Sequence, residues 1–202
     1  MLQEPGHGEN GNSTLKYGFN YLIALGANLT SSAGPPQDTL KTALERLVAD
    51  GAVIRGASAF YHTPAFPPGS GPDYVNAVAS ISANWAPDEM LKRLHKVEAM
   101  MGRVRTKRWA GRTLDLDMIA CGDAVLPDLE TYRLWHGLPL EEQMRDSPEQ
   151  LVLPHPRLQD RAFVLVPLAD VAPEWVHPVL GTSVKEMLTA LPAEDLKSVR
   201  PI

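Results

Sequence analysis

LDLDMIAC (114–121) is a short apolar run interrupted by two acids, Asp115 and Asp117, two positions apart. Successive side chains of an extended strand point to opposite faces, so both aspartates share one face while Leu114, Leu116 and Met118 take the other. The run reads as a half-buried strand. Upstream, 87–101 carries Met90, Leu94, Val97 and Met101 on one helical stripe, with Ala86-Pro87 and Gly102 as plausible ends. Strands are expected at 20–25 (NYLIAL), 53–61 and 74–82, and a helix at 37–47, where Leu40, Ala43, Leu44 and Leu47 recur at helical spacing behind Pro35-Pro36. With 114–121 as the fourth strand, the order is strand, helix, strand, strand, helix, strand. That is the split βαβ arrangement, an α+β fold in which an antiparallel sheet carries helices packed on one face.

The remaining chain sets limits. At 202 residues, 44% hydrophobic and 21% charged, it suits one globular domain with a sizeable core. A formal net charge of -5 argues against a general nucleic-acid binder, whose affinity depends on many Lys and Arg contacts to phosphate. No stretch approaches the roughly 18 to 20 apolar residues that span a bilayer, and 1–20 lacks the pattern of a signal peptide. A cytoplasmic protein is expected. Cys121 is the only cysteine, which excludes an intrachain disulfide and a cysteine zinc site and reads as a buried, inert thiol. Residues 1–18 read as a flexible N-terminal extension, and 19–202 as a single domain interrupted by a polar insertion at about 126–150. Within the insertion 139–144 suits a short helix, with Trp135, Leu138 and Leu140 as candidates to pack it down. A further short helix is expected near 183–191. The loop HTPAFPPGSGPD (62–73) is long for a hairpin and is a candidate lid.

Two carboxylates with Cα atoms roughly 6.6 Å apart repel unless a cation or proton lies between them. Magnesium suits them, since it takes oxygen ligands from one or two carboxylates and completes its shell with water and phosphates. From D-x-D alone, the commoner reading is an alternating edge strand with its acids in solvent. The segment RVRTKRWAGR (103–112) alters the balance: Arg103, Arg105, Lys107, Arg108 and Arg112 contribute five cations and no acid in an acidic chain. A phosphate clamp has this composition, with Arg and Lys meeting charge on a transferring phosphoryl group while magnesium neutralises the rest. No P-loop is present, so side chains and metal have to hold the phosphates. His155, Arg157 and Arg161 in LPHPRLQDRAF form a second cationic group, while no spacing suits a histidine zinc site. Phe66, Tyr74, Asn76 and Phe163 together suit a flat polar heterocycle, rings on its faces and an amide at its edge.

The segments YLIALGANL, SAFYHTPAF, PDYVNAVA, E-x-x-x-GRVR, RWAGRTLDLDMI and LPHPRLQDRAFVLVPLADVAP, covering about 21–173 apart from the insertion, resemble the 6-hydroxymethyl-7,8-dihydropterin pyrophosphokinases of folate biosynthesis. The resemblance implies a ferredoxin-like sheet with a C-terminal helical extension, and transfer of pyrophosphate from ATP to the pterin hydroxymethyl group with release of AMP. It implies Mg2+, two ions, held by Asp115 and Asp117. Arg103, Trp109 and Arg112 match a loop that closes over ATP, and with the two aspartates they form the implied catalytic set. Glu98, Arg103, Arg112, His155 and Arg161 match ATP contacts. Thr63, Pro64, Phe66, Tyr74, Asn76 and Phe163 match the pterin pocket. No protein nucleophile is needed, and the family suggests a monomer acting on two small molecules, with no nucleic acid and no membrane. Gln150, Val152 and His95 depart from the family pattern, the first two near the adenine.

Two rivals remain open on the residues. A nucleotidyl or sugar-nucleotide transferase also uses D-x-D with a divalent metal, but on a larger parallel α/β domain. A ferredoxin-like RNA-binding module would carry an aromatic RNP pattern, which is missing.

Overall fold

The computed structural model describes residues 18–65, 71–103 and 111–202. The expected flexible extension falls almost entirely outside these, as do 66–70 of the candidate lid and 104–110 of the cationic segment. The elements run β1 (Phe19–Ala27), α1 (Pro36–Ala49), β2 (Val53–Ala57), β3 (Tyr61–Thr63), β4 (Tyr74–Ala83), α2 (Pro87–Met100) and β5 (Asp115–Cys121). They continue with α3 (Leu129–Gly137), α4 (Leu140–Arg145), α5 (Ala162–Val171), α6 (Val184–Ala190), α7 (Ala193–Ser198) and β6 (Arg200–Pro201). The strands form one antiparallel sheet in the order β5-β1-β4-β3-β6, with β2 also paired to β4. The ferredoxin-like α+β expectation holds, and the parallel α/β rival does not fit this sheet.

Both crossover helices start where proline pre-sets the first turn, at Pro36 and Pro87. Their apolar stripes, Leu40, Ala43 and Leu47 on α1 and Met90, Leu94 and Val97 on α2, are buried against Ile23, Leu25, Ile81, Leu116 and Met118 of the sheet. Each large side chain removed from water there is worth roughly 1.5–3 kcal/mol, which is what holds α2 against β5. The C-terminal extension covers the opposite face: Leu158, Val164, Leu165, Leu168, Val184 and Met187 pack on Leu22, Val78, Ile119 and Ala120. The sheet is thus enclosed by α1 and α2 on one side and by α5 and α6 on the other.

Two elements differ from expectation. The strand expected at 53–61 is two strands, β2 and β3. The pairing with β4 shifts between Ile54 and Gly56, and Ser58 then substitutes its hydroxyl for a ladder carbonyl by accepting from Val78 N at 2.9 Å. Within the insertion, α3 precedes the expected short helix, which is present as α4. Asp128 caps α3 by accepting from Thr131 N at 2.8 Å. Tyr132, not an expected packing residue, is the buried anchor of α3: its hydroxyl lies 3.0 Å from His177 Nε2.

Candidate active site

β5 is an edge strand: β1 pairs with one side only, leaving polar groups along the other. Three contacts on that side and at its start build the site. Glu98, on the last turn of α2 and only 2% exposed, accepts from Leu116 N at 2.8 Å, between the two aspartates. Further along, where a register shift leaves Ile119 as an extra residue, its carbonyl accepts from His155 N at 2.8 Å. At the start, Asn28 holds the main chain of Arg112 in both directions: Asn28 Oδ1 accepts from Arg112 N at 2.7 Å, and Asn28 N donates to Arg112 O at 3.0 Å. Asn28 also donates through Nδ2 to Pro72 O at 3.0 Å, joining this junction to the β3–β4 connection.

Asp115 and Asp117 share the face expected from alternation, while Leu114, Leu116 and Met118 are buried in the α1 and α2 core. Asp115 is the centre of an ion-pair cluster. Arg103 reaches its Oδ1 and also Glu98 Oε1, and Arg112 reaches its Oδ2. Gly102 makes the turn that carries Arg103 back over Glu98; its φ of 79° is a conformation that side chains rarely adopt. Burial, and then the neighbouring charge of Asp117, raise the Asp115 carboxyl above its ordinary range against the opposing pull of Arg112 and Arg103.

Arg161, at the N-terminus of α5, is lowered by burial while the charges of Asp117 and Asp115 favour its protonated form. His155 is pushed down to about 3, first by burial and then by Arg161. Its Nδ1 accepts from Arg157 N at 3.1 Å, so the neutral ring carries its proton on Nε2. Both His155 and Arg161 lie near enough to Asp115 to feel its charge.

The expected pterin residues are gathered in part. Thr63 and Tyr74 are cross-strand partners, and Asn76 donates to Thr63 Oγ1 at 2.6 Å. Tyr74 is raised by burial and feels Arg112, Asp115 and Arg103, so this group adjoins the charged cluster. Pro64 is exposed at the end of β3. Phe163 is 41% exposed, with the Arg161 guanidinium 5.6 Å from its ring centroid. Phe66 and Trp109 lie outside the described residues. Two positions beyond the expected set matter as well. Asn28 orients Arg112, and Gly26 leaves room for Asn76, since a Cβ there would sit 2.9 Å from Asn76 Oδ1. Both belong to the segment YLIALGANL, the signal that could have found them.

The carboxylate pair fits a hard divalent cation: its donors are all oxygen, they lie on one strand face, and their mutual repulsion is what a cation relieves. Among the described residues there is no group of three or more His, Cys, Asp or Glu that could hold a metal by itself, so other oxygen ligands have to complete the shell. Cys121 is buried, and burial pushes its thiol up, in keeping with an inert role.

Residues 22–173 match the family model described as 7,8-dihydro-6-hydroxymethylpterin-pyrophosphokinase. The chain belongs to this family. It is 35% identical to the 2-amino-4-hydroxy-6-hydroxymethyldihydropteridine pyrophosphokinase of Synechocystis sp., over 90% of this chain and 79% of that one. It is 36% identical to the protein of the same name from Pseudomonas aeruginosa, over 87% of this chain and 93% of that one. Among solved structures it shares its fold with Plasmodium falciparum HPPK-DHPS, at a TM-score of 0.59 and 17% identity, covering 87% of this chain. The chain spans 42% of that longer protein. No helix among the described residues is long and apolar enough to cross a membrane.

Proposed function

We propose that this chain transfers the β,γ-pyrophosphoryl group of ATP to the hydroxyl of 6-hydroxymethyl-7,8-dihydropterin, giving the pterin diphosphate and AMP for folate synthesis. The observation that carries the reading is the convergence of Arg103, Arg112, Arg161 and His155 on the carboxylates of Asp115 and Asp117, beside the Thr63, Tyr74 and Asn76 group. Cations able to take phosphate oxygens and carboxylates able to take a divalent metal lie next to a polar aromatic pocket.

Asp115 and Asp117 would hold magnesium, two ions in the full reading, and bound metal supplies neutralisation of the polyphosphate. Arg103 and Arg112 meet charge developing on the transferred group, and Arg161 adds a third fixed cation from α5. His155, neutral throughout the physiological range, donates from Nε2–H to a phosphate oxygen without exchanging a proton. Asn76 and Thr63 read the edge of the pterin, and Tyr74 and Phe163 offer ring faces to it. No protein group forms a covalent intermediate, so the rate comes from holding the hydroxyl in line with the β-phosphorus and neutralising charge there. The proposal includes a monomer acting in the cytoplasm on two small molecules.

The test is direct: protein, magnesium, ATP and 6-hydroxymethyl-7,8-dihydropterin are mixed and the nucleotide product is identified. AMP formed only with the pterin present supports the proposal; ADP, or turnover indifferent to the pterin, sinks it.

A further inference from the structure

We propose that the cleft between α3 and the return of the insertion at 146–150 is a docking groove for a basic segment of a partner protein, one that seats apolar side chains between flanking Lys or Arg residues. The inference is independent of the catalytic reading above.

α3 presents two faces. Tyr132 turns inward, buried and joined to His177, and Asp128 caps the first turn, so the helix is held in place before anything binds. Thr131, Leu134, Trp135 and Leu138, at positions i, i+3, i+4 and i+7, form a second stripe that lines an open cleft of about 710 Å3. Leu134, Trp135 and Leu138 belong to neither of the two cores that enclose the sheet, and Leu134 is 63% exposed. A single exposed leucine is ordinary; three large apolar side chains along one groove mark an interaction surface.

Charge selects the occupant. Glu142, Asp146 and Glu149 line the cleft, with no Lys or Arg among its described lining residues. Asp146 is met by Arg145 at 3.1 Å, so Glu142 and Glu149 carry the attraction for a cation. The whole insertion has the same sign: over 126–150, six acids face only Arg133 and Arg145, an excess of four negative charges where the entire chain has five. A nucleic acid or an anionic membrane surface meets like charge here. So does a second copy of this chain, because a two-fold contact sets the same acidic patch against itself. A small molecule is ordinarily enclosed over most of its surface, which a groove this open at Leu134 does not provide. The stripe runs about 10 Å along the helix, the length of about three residues of extended chain. A strand-like segment can therefore lie along it with alternate apolar side chains on Leu134, Trp135 and Leu138, and with cations on either side reaching Glu142 and Glu149. Because α3 is already ordered, only the segment loses freedom on docking.

The experiment selects phage-displayed random peptides of about twelve residues on the immobilised full chain, then measures the synthetic peptides against it by fluorescence anisotropy. The selected sequences should carry apolar or aromatic residues flanked by Lys or Arg. L134Q, which replaces an exposed side chain by a polar one of similar length, should weaken their binding by about tenfold or more. E142K/E149K should weaken it by a similar factor, and about 0.5 M NaCl should weaken wild-type binding several-fold while scarcely affecting the residual binding of that variant. Circular dichroism melts establish that both variants are folded. Failure to select any peptide, selected peptides without an excess of Lys and Arg, or peptides indifferent to either variant overturns the proposal. Sedimentation of the wild-type chain as a dimer that L134Q abolishes also overturns it, by giving the groove to a second copy. Neither nucleotide nor pterin is present, so AMP formation can stand while this inference fails, and the reverse.

Discussion

Two buried polar clusters in this molecule are built on opposite terms. At the start of β5, Glu98, Arg103, Arg112 and Asp115 are charged and interdependent, and Asp115 is held where its carboxyl is raised by burial and by Asp117. Between α3 and the C-terminal extension, Tyr132 and His177 are neutral and fully engaged. His177 Nδ1 accepts from Val179 N at 3.1 Å and Leu180 N at 3.2 Å, which leaves the proton on Nε2 to donate to the Tyr132 hydroxyl. The first cluster sits beside a further carboxylate, Asp117, whose repulsion on Asp115 a cationic ligand can relieve. The second has its hydrogen bonds made internally and joins α3 to the chain around His177. Burial of polar groups is therefore not itself a mark of a site; incomplete compensation is.

The comparison can be broken at several points. The largest effect is expected from Asp117→Asn, which should lower turnover by roughly two to three orders of magnitude, the range for loss of a key electrostatic group. Its melting temperature should stay close to wild type, since it removes a repulsion with Asp115; a large fall would make Asp117 structural. Arg112→Ala should follow, reducing kcat by about tenfold or more with a much smaller change in pterin affinity. Equal loss in both, read from steady-state kinetics and pterin titration, would assign it to ground-state binding.

The other cluster should respond in stability alone. Tyr132→Phe leaves the buried Nε2–H of His177 without its acceptor and should cost about 1–3 kcal/mol in urea unfolding. Its kcat should be unchanged, and a slower enzyme would show that the insertion communicates with the site. The last effect, absent at neutral pH, concerns acid stability. His177 is lowered to about 4 and His155 to about 3, each chiefly by burial. The unfolded chain, with ordinary imidazoles near 6.5, binds more protons below that value, so stability is full above it and declines as pH falls toward the folded values. Each histidine contributes a slope of at most about 1.4 kcal/mol per pH unit, and His177→Gln should flatten the curve between about 6.5 and 4.

Much of the site was legible because its signals are local. The alternation in LDLDMIAC placed both aspartates on one face, the periodicity of 87–101 marked the helix that carries Glu98, and the family resemblance pointed to Glu98 itself. The break at Ser58 was not legible, since it depends on a hydroxyl replacing a carbonyl toward Val78 on another strand. Tyr132 was missed because its partner is 45 residues away and no helical period identifies it. Asn28 lay in a segment already noted, but its hold on Arg112 spans 84 residues.

The sequence by itself determined the order of β1, α1, β4, α2 and β5, the two faces of β5 and the presence of cations beside carboxylates, because extended and helical backbones impose their periods on neighbouring residues. Only the tertiary structure decided that Arg103 bridges Glu98 and Asp115, that Arg112 takes the other oxygen, and that His155 is neutral with its proton on Nε2. These depend on α2 packing against the open edge of β5, on the chain near His155 taking the Ile119 carbonyl, and on how little water reaches them. Contacts between distant segments are set by the fit of the whole fold, and local periodicity carries no record of them.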